Sequence, residues 1–249
     1  MMSLTIAETR KLTTVWTTTI ITLVGLALVL LGTAFFVFES EFSGEFLGTD
    51  PQVAAAIDQI GAMSVIALIV GLLSVTTEFR HETIGRTLQL TPSRTRVVMT
   101  KMLVGAVYGV VFFALGMVVV GGILLVSGAE LDLGEATVRA LWQGPVGLAL
   151  MAVFGVAVGA LLRSQVVAVA LMLIYVFIIE SLVMQFLPEI GRWLPFQALN
   201  AMFLSEELTA GMGVDAAAPL EPMVGLVAFV AYCLVAAVAA ILLMRVRDV

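Results

Sequence analysis

The sequence predicts an all-α integral membrane protein with six transmembrane helices. Of its 249 residues, 61% are hydrophobic and only 12% are charged, and the mean hydropathy is +1.13. Soluble domains carry about 25% charged residues, so this composition excludes an ordinary globular protein. Six apolar runs approach or exceed the roughly 20 residues that a bilayer crossing needs. Residues 1–249 are therefore predicted to form one membrane-embedded domain.

The six predicted spans cover residues 15–38, 53–75, 102–126, 141–162, 166–187 and 223–244. The first follows Arg10 and Lys11, as the apolar core of a signal peptide would. It is 24 residues long, however, and no small-residue cleavage site follows it. We therefore interpret it as a retained helix. The second span is the weakest, because Asp58 and Gln59 lie near one of its ends.

Basic residues indicate the orientation of these spans. With a cytoplasmic N-terminus, ten of the twelve Lys and Arg residues lie on the inner side, and only Arg139 and Arg192 lie outside. Because Lys and Arg are enriched in cytoplasmic loops, both termini are predicted to be cytoplasmic. The outer connections are acidic, and we interpret acids such as Glu39 and Asp50 as solvated span ends. A cation-collecting vestibule is the alternative.

The longest outer connection is predicted at residues 188–222. Its first half contains an apolar stretch with a tryptophan, residues 193–199. Such a stretch is expected to lie at the outer membrane interface or to dip into it.

The most basic part of the chain is the inner connection 76–101, between the second and third spans. Glu78 and Glu82 are four residues apart, which predicts that the second helix continues beyond the membrane with both acids on one face. Gly85 can break that helix. An ordinary positive-inside loop is the simpler interpretation, since it requires only the basic residues.

A helix-start signal follows this break. Thr91 can act as the N-cap, and Pro92 suits the first helical position. The third span is predicted to start there and to run through Arg94 and Lys101 into the membrane. The connection is thus predicted to be a helical hairpin that projects from the inner face.

The residues of this connection resemble those of a known family. The pattern is Glu78-x-x-x-Glu82-x-x-Gly85-x-Thr87-Leu88-x-x-x-Thr91-Pro92-Ser93-Arg94, followed by Lys101. It is similar to the cytoplasmic coupling loop of ABC-2-type ABC transporter permeases. The N-terminal pattern Glu8-x-x-Lys11-Leu12-x-Thr14 is similar to the amphipathic helix that precedes the first span in that family.

The resemblance implies the transmembrane permease subunit of an ATP-driven exporter in a prokaryotic cell membrane. Its expected partners are a cytoplasmic ABC ATPase, which holds the ATP and Mg²⁺, a second permease subunit and the lipid bilayer, with no nucleic acid. The chain itself is not expected to be an enzyme, and it has no predicted catalytic, cofactor-binding or metal residues. A phosphate-binding P-loop needs Gly-Lys followed by Ser or Thr, and neither of the two lysines, Lys11 and Lys101, follows a glycine.

Two acids fall within the predicted spans. Glu180, in the fifth span, is the stronger candidate for a group that lines the path of the substrate, because a carboxylate inside a membrane needs a cavity or a partner. The alternative is a helix-end acid that reaches outer water or pairs with Arg192. Asp58 is a similar but weaker candidate for a group that lines the path of the substrate.

Two glycine pairs predict close helix packing. Gly105 and Gly109 lie in the third span, and Gly155 and Gly159 lie in the fourth. Small residues four positions apart allow helix backbones to approach closely. The spacing is compatible with contacts inside one subunit and with contacts between two subunits.

Other functions are compatible with parts of the sequence. An ATPase-independent secondary transporter would show repeats or broken helices near the membrane midplane, and a membrane immunity or structural protein needs no transport path. An intramembrane serine protease is rejected, because the only histidine, His81, lies in the inner connection. The apolar spans favour a hydrophobic or amphiphilic cargo for an exporter.

Overall fold

The structure is a computed structural model that describes residues 2–43, 48–83, 85, 89, 93–128, 131–203 and 219–246. Within these ranges the chain forms helices, turns and short connections, and no strand. Six helical stretches are long and apolar enough to cross a membrane. The predicted all-α architecture with six membrane-length helices is confirmed, and the orientation of the helices across the membrane stays a prediction.

The helices are numbered in chain order. They are α1 (Met2–Thr14), α2 (Trp16–Ser43), α3 (Asp50–Ala62), α4 (Ser64–Arg80), α5 (Arg94–Val126), α6 (Glu135–Leu162), α7 (Gln165–Ile174), α8 (Glu180–Phe186), α9 (Pro188–Gly191), α10 (Pro195–Asn200) and α11 (Pro222–Val246). The second span consists of α3 and α4, which are separated by Met63. The fifth consists of α7, the π-helical segment Tyr175–Ile179 and α8.

Several spans extend beyond the apolar runs that predict them, because polar residues at their ends continue the helices. The third begins at Arg94 rather than at residue 102, and the fourth begins at Glu135 rather than at 141. The sequence predicts Thr91 and Pro92 as the start of the third helix, but the N-cap is Ser93, whose hydroxyl accepts a hydrogen bond from the Arg96 backbone N–H at 3.4 Å. Thr91 and Pro92 themselves lie outside the described residues.

The spans run antiparallel to their neighbours in the chain, so their ends collect at two faces. We call the end that contains α1 and the connection between α4 and α5 the α1 end, and the opposite end the far end. Basic residues at the α1 end are Arg10, Lys11, Arg80, Arg94, Arg96, Lys101, Arg163 and Arg245. Arg139 and Arg192 lie at the far end, and Arg86 and Arg247 are outside the described residues.

The centre of the bundle is a close contact between α4 and α6. A Cβ added to Gly71 of α4 would lie 2.2 Å from the Ala152 carbonyl oxygen of α6. Reciprocally, a Cβ on Gly155 would lie 2.2 Å from the Leu68 carbonyl oxygen of α4. Real Cβ atoms essentially never approach other atoms so closely, so only glycine permits this backbone separation.

Both predicted glycine pairs contribute to packing inside one chain. Gly155 and Gly159 face α4, where a Cβ on Gly159 would lie 2.7 Å from the Leu72 carbonyl oxygen. Gly105 and Gly109 face α6, and a Cβ on Gly109 would lie 2.5 Å from Leu148 backbone atoms. These contacts hold α4, α5 and α6 together as the core.

The outer spans α2, α7 and α11 expose large apolar side chains. Leu31 is 62% exposed, Val166 is 74% exposed and Val235 is 69% exposed. Apolar surface of this extent is typical of contact with a membrane or another protein. The perimeter of the bundle, to which α5 also contributes with Val118 at 73% exposed, is therefore apolar and suits contact with lipid.

The described part of the long connection 188–222 folds back onto the bundle. α10 packs against α11, and Ala198 and Leu199 are fully buried. Gly225 of α11 permits this approach, since a Cβ there would lie 2.4 Å from the Ala198 carbonyl oxygen. The C-terminal part of the stretch 193–199 thus contributes to the protein interior at the far end, whereas Trp193 is 45% exposed. Residues 204–218 lie outside the described part of the chain.

Candidate functional site at the α1 end

Four charged side chains from three helices meet at the α1 end. Glu8 and Lys11 lie one turn apart on α1, Glu78 is in the last turn of α4, and Lys101 is near the start of α5. Residues three positions apart share one face of a helix, so Glu8 and Lys11 point together toward α4 and α5. We call Glu8, Lys11, Glu78 and Lys101 the ion cluster.

Lys101 is the centre of the ion cluster. Its Nζ lies 2.6 Å from Glu8 Oε2, 2.8 Å from Glu78 Oε1 and 2.9 Å from the Ser74 carbonyl oxygen. A lysine ammonium has three N–H donors. All three are used, and they connect α5 to α1 and α4.

Lys11 completes the cluster from its exposed side. Its Nζ lies 2.8 Å from Glu8 Oε1 and 2.6 Å from Glu78 Oε1. Burial alone would lower the pKa of Lys11, but hydrogen bonds to Glu78 and Glu8 and the charges of those carboxylates outweigh it, so the pKa is raised above its ordinary value. The favourable contribution of Lys11 is therefore complete at neutral pH and is lost only as the pH rises through that raised value.

The cluster is buried and electrically balanced. The side chain of Lys101 is 2% exposed, that of Glu8 4% and that of Glu78 7%, whereas that of Lys11 is 45% exposed. Two carboxylates face two ammonium groups, which is the condition under which buried charges are tolerated. Removal of Glu8, Glu78 or Lys101 would leave the remaining groups buried with an uncompensated charge, whereas water can replace part of the contribution of the half-exposed Lys11.

Further contacts join the other helix ends at this face. The Arg80 guanidinium donates to Gln165 Oε1 of α7 at 3.2 Å, and the Arg94 guanidinium donates to the Met244 carbonyl oxygen of α11. Arg163, at the end of α6 with φ of 58°, lies over the Phe79 ring of α4, 5.3 Å from its centroid. The α1 end is thus linked laterally across six helices.

The end of α4 differs from the prediction, whereas residues 84, 86–88 and 90–92 of the predicted hairpin lie outside the described residues. α4 ends at Arg80, so Glu82 is not on the same helix face as Glu78; it follows the helix with φ of 55° and is exposed. The backbone N–H groups of His81 and Glu82 close this end by bonding to Thr77 and Phe79 carbonyls. Gly85 is helical and half-buried, and a Cβ added to it would meet nothing within 4 Å. Thr87 and Leu88 lie outside the described residues.

Glu180 has a different environment from the one expected. It is fully buried, and its carboxylate accepts hydrogen bonds from the backbone N–H groups of Phe196 at 3.0 Å and Gln197 at 3.1 Å. It therefore neither reaches outer water nor pairs with Arg192, which instead bonds to Glu189. Glu180 satisfies the otherwise unpaired donors at the start of α10.

Asp58 lies half-buried on α3, where the positive charge that acts on it is that of Arg139 on α6. Both residues are close to the far end, away from the ion cluster. The structure does not bring Asp58 and Glu180 into one site: Asp58 interacts with α6, whereas Glu180 binds α10.

Asp50 is not the solvated acid that the sequence predicts, but a cap for another helix. Its carboxylate accepts hydrogen bonds from the backbone N–H groups of Gly134 at 2.9 Å, Ala136 at 2.9 Å and Thr137 at 2.8 Å. α6 needs this partner because its own N-cap, Gly134, has no side chain. No local sequence signal reveals the contact, because Asp50 and Thr137 are 87 positions apart.

A cavity of about 590 Å³ lies beside the ion cluster, between α1 and the ends of α4, α5 and α7. Among the described residues no group of three or more His, Cys, Asp or Glu side chains is arranged to hold a metal ion. The α1 end thus combines a buried ion cluster with an adjoining cavity.

The resemblance of the connection to the ABC-2-type permeases depends on residues 78–101 and on the N-terminal Glu8 and Lys11. The structure places four of those residues, Glu8, Lys11, Glu78 and Lys101, in one cluster. A comparison of the chain with protein-family models and with curated proteins finds no match.

Proposed function

We propose that the chain is the membrane-spanning permease subunit of an ATP-driven exporter of the ABC-2 type. A separate cytoplasmic ATPase subunit would bind ATP and Mg²⁺, and a second permease subunit would complete the complex in a prokaryotic cell membrane. The observation that carries the proposal is the ion cluster, which joins α1 to the two helices that flank the inner connection.

The ion cluster supports transmission of force from the connection to the bundle. A partner that moves the connection would act on the end of α4 and the start of α5, which Glu78 and Lys101 join at 2.8 Å. α4 is in turn packed on α6 by backbone contacts at Gly71 and Gly155. Close-packed interiors transmit displacement rather than absorb it, so movement at the connection would tilt the core spans and α1 together.

The sequence supports an external source of energy. Neither Lys11 nor Lys101 lies in a P-loop pattern. The apolar spans support a hydrophobic or amphiphilic cargo, moved between this subunit and its permease partner.

The direct test is co-purification. The chain is tagged in its native host, extracted in mild detergent and analysed for a bound ATPase, and the complex is assayed for ATP hydrolysis in lipid vesicles. We expect an ABC ATPase in stoichiometric amount. Transport by the purified chain alone, with no nucleotide-binding partner, would contradict the proposal.

Substitutions in the connection test the transmission step. Gly85→Pro or Glu82→Arg should leave membrane insertion and ATPase binding intact but uncouple ATP hydrolysis from cargo, because these residues follow the end of α4 without entering the ion cluster. The readout is the ratio of cargo-stimulated to basal ATP hydrolysis. Glu39→Arg, an exposed charge reversal on α2, is the matched control and should leave the ratio unchanged. Normal coupling in both connection variants would count against the connection as the element that transmits force to the bundle.

A secondary transporter is the alternative that one observation favours. The second span is interrupted at Met63, next to the buried hydroxyl of Ser64, and the fifth contains the π-helical segment Tyr175–Ile179. Interrupted helices form substrate sites in many secondary transporters, and π-helical segments are frequent at functional sites. Cargo movement driven by an ion gradient, without ATP, would favour this alternative.

A further inference from the structure

The cavity beside the ion cluster has the size and lining of a ligand site. Its volume of about 590 Å³ falls within the range of roughly 300–1,000 Å³ that is usual for small-molecule pockets. Leu4, Ala7 and Leu12 of α1 form one apolar wall, and Leu73 and Val104 of α4 and α5 form the opposite one. An apolar chain can therefore lie between α1 and the core.

The charged groups at the cavity are unequal in number. Lys11, Arg80 and Lys101 contribute three positive charges, and Glu8 and Glu78 contribute two negative charges. Lys101 is fully used inside the ion cluster, but Arg80 is exposed and Lys11 is half-exposed. The accessible surplus is cationic, which suits an anionic head on an apolar ligand.

The position of the cavity indicates the source of such a ligand. Val15 and Thr17 line it at the junction of α1 and α2, and Trp16 between them is 80% exposed. Tryptophan is enriched at the level of the lipid headgroups. The cavity is therefore placed where headgroups and the first part of their chains are available from the bilayer.

We infer that this cavity binds an anionic phospholipid from the leaflet at the α1 end. The phosphate lies beside Arg80 and Lys11, and part of an acyl chain lies against Leu73 and Val104. In the proposed orientation this leaflet is the cytoplasmic one. The inference requires only that the chain spans a membrane, and it does not depend on an ATPase partner.

Lipid binding to the purified chain tests the inference. The protein is delipidated in detergent and titrated with phosphatidylglycerol or phosphatidylcholine of identical acyl chains, and bound lipid is counted by native mass spectrometry. We expect one tightly bound phosphatidylglycerol and weaker binding of phosphatidylcholine. Arg80→Gln should weaken phosphatidylglycerol binding about fivefold, as expected for the loss of one basic residue near an anionic headgroup. It should weaken phosphatidylcholine binding less, because the choline cation offsets the charge of the phosphate.

Two control variants separate the cavity from the surrounding surface. Ala7→Trp fills the cavity from α1 and should remove the tightly bound lipid, whereas Ile6→Trp, next to it but outside the lining, should not. Arg10→Gln removes an exposed charge of α1 outside the cavity and should bind lipid like the wild type. The unfolding midpoint without lipid verifies that each variant is folded.

Equal affinity for the two headgroups, or unchanged binding in Ala7→Trp, would overturn the inference. Weakening by Arg10→Gln as large as that by Arg80→Gln would also overturn it, since it would reveal general surface attraction. None of these results bears on ATPase co-purification, so the failure of this inference and that of the proposed function are distinguishable.

Discussion

Lys101, near the start of α5, donates hydrogen bonds to groups of both α1 and α4. Lys101 is buried away from water, so its positive charge must be stabilised by the carboxylates of Glu8 and Glu78. At the residue scale this makes it the most sensitive charge at the α1 end.

Lys101→Met should strongly destabilise the protein. The substitution leaves Glu8 and Glu78 buried with only Lys11 between them, and removal of one partner from a buried ion pair costs about 3–5 kcal/mol. Cys233 is the only cysteine and is buried, so a thiol-reactive fluorophore reports thermal unfolding without an engineered cysteine. We expect a clear fall in the unfolding midpoint.

Lys11→Met is the matched control for that substitution. Lys11 has the same two carboxylate partners but is 45% exposed, and water can replace part of its contribution. Its loss should cost at most about 1 kcal/mol. Equal effects of the two substitutions would contradict the assignment of Lys101 as the buried centre.

Asp50→Ala should lower the unfolding midpoint by less than Lys101→Met, because it removes the acceptor for three backbone N–H groups at the start of α6. Glu39→Ala, which removes an exposed acid from α2, should leave the midpoint unchanged. An unchanged unfolding midpoint in Asp50→Ala would show that water or another side chain caps α6 equally well.

The sequence indicates which residues carry charge but not which charges are paired. Glu8 and Lys101 are 93 positions apart, and the backbone donors that bind Glu180 lie 16 and 17 positions beyond it. A single sequence contains no information on contacts at that distance. For this reason the sequence alone suggests solvated or substrate-facing acids at Asp50 and Glu180, although both cap helices.

At the level of the elements, the contact between α4 and α6 organises the bundle. Its glycines are only partly predictable. Gly155 and Gly159 fit a recognised spacing, but Gly71 has no glycine four positions before or after it, where Ala67 and Val75 stand. The existence of the six spans follows from hydrophobicity alone. Their ends do not, since polar residues such as Glu135 and Arg94 continue the helices past the apolar runs.

Gly155→Ala tests the α4–α6 contact. A Cβ at this position would lie 2.2 Å from the Leu68 carbonyl oxygen, so the two helices must separate. We expect the free energy of unfolding to fall by about 1–3 kcal/mol, as for overpacked cores. The measurement is a fall in the unfolding midpoint.

Gly121→Ala on α5 is the control for this substitution, because a Cβ there meets nothing within 4 Å. Its midpoint should stay unchanged or rise slightly, since alanine is the better helix former. Destabilisation of the same size at Gly121 would indicate a general intolerance of alanine rather than a close helix contact.

For the whole molecule, the positive-inside distribution gives a testable orientation. In a Cys233→Ala background, Gln89→Cys in the inner connection should react with a membrane-impermeant maleimide only after cells are permeabilised. Glu221→Cys, before α11, should react in intact cells, because the two positions lie at opposite ends of the bundle. The reverse pattern would place the connection outside and remove the basis for a cytoplasmic ATPase.

Glu8 and Lys101 are far apart in the sequence, and this separation also constrains the order in which the protein is assembled. Glu8 leaves the ribosome 93 residues before Lys101, so the N-terminal helix is synthesised long before its buried counterion exists. Until the third span has been inserted, that carboxylate must stay hydrated at the membrane surface. The N-terminal helix can therefore complete its buried ion pair only after the third span has been synthesised.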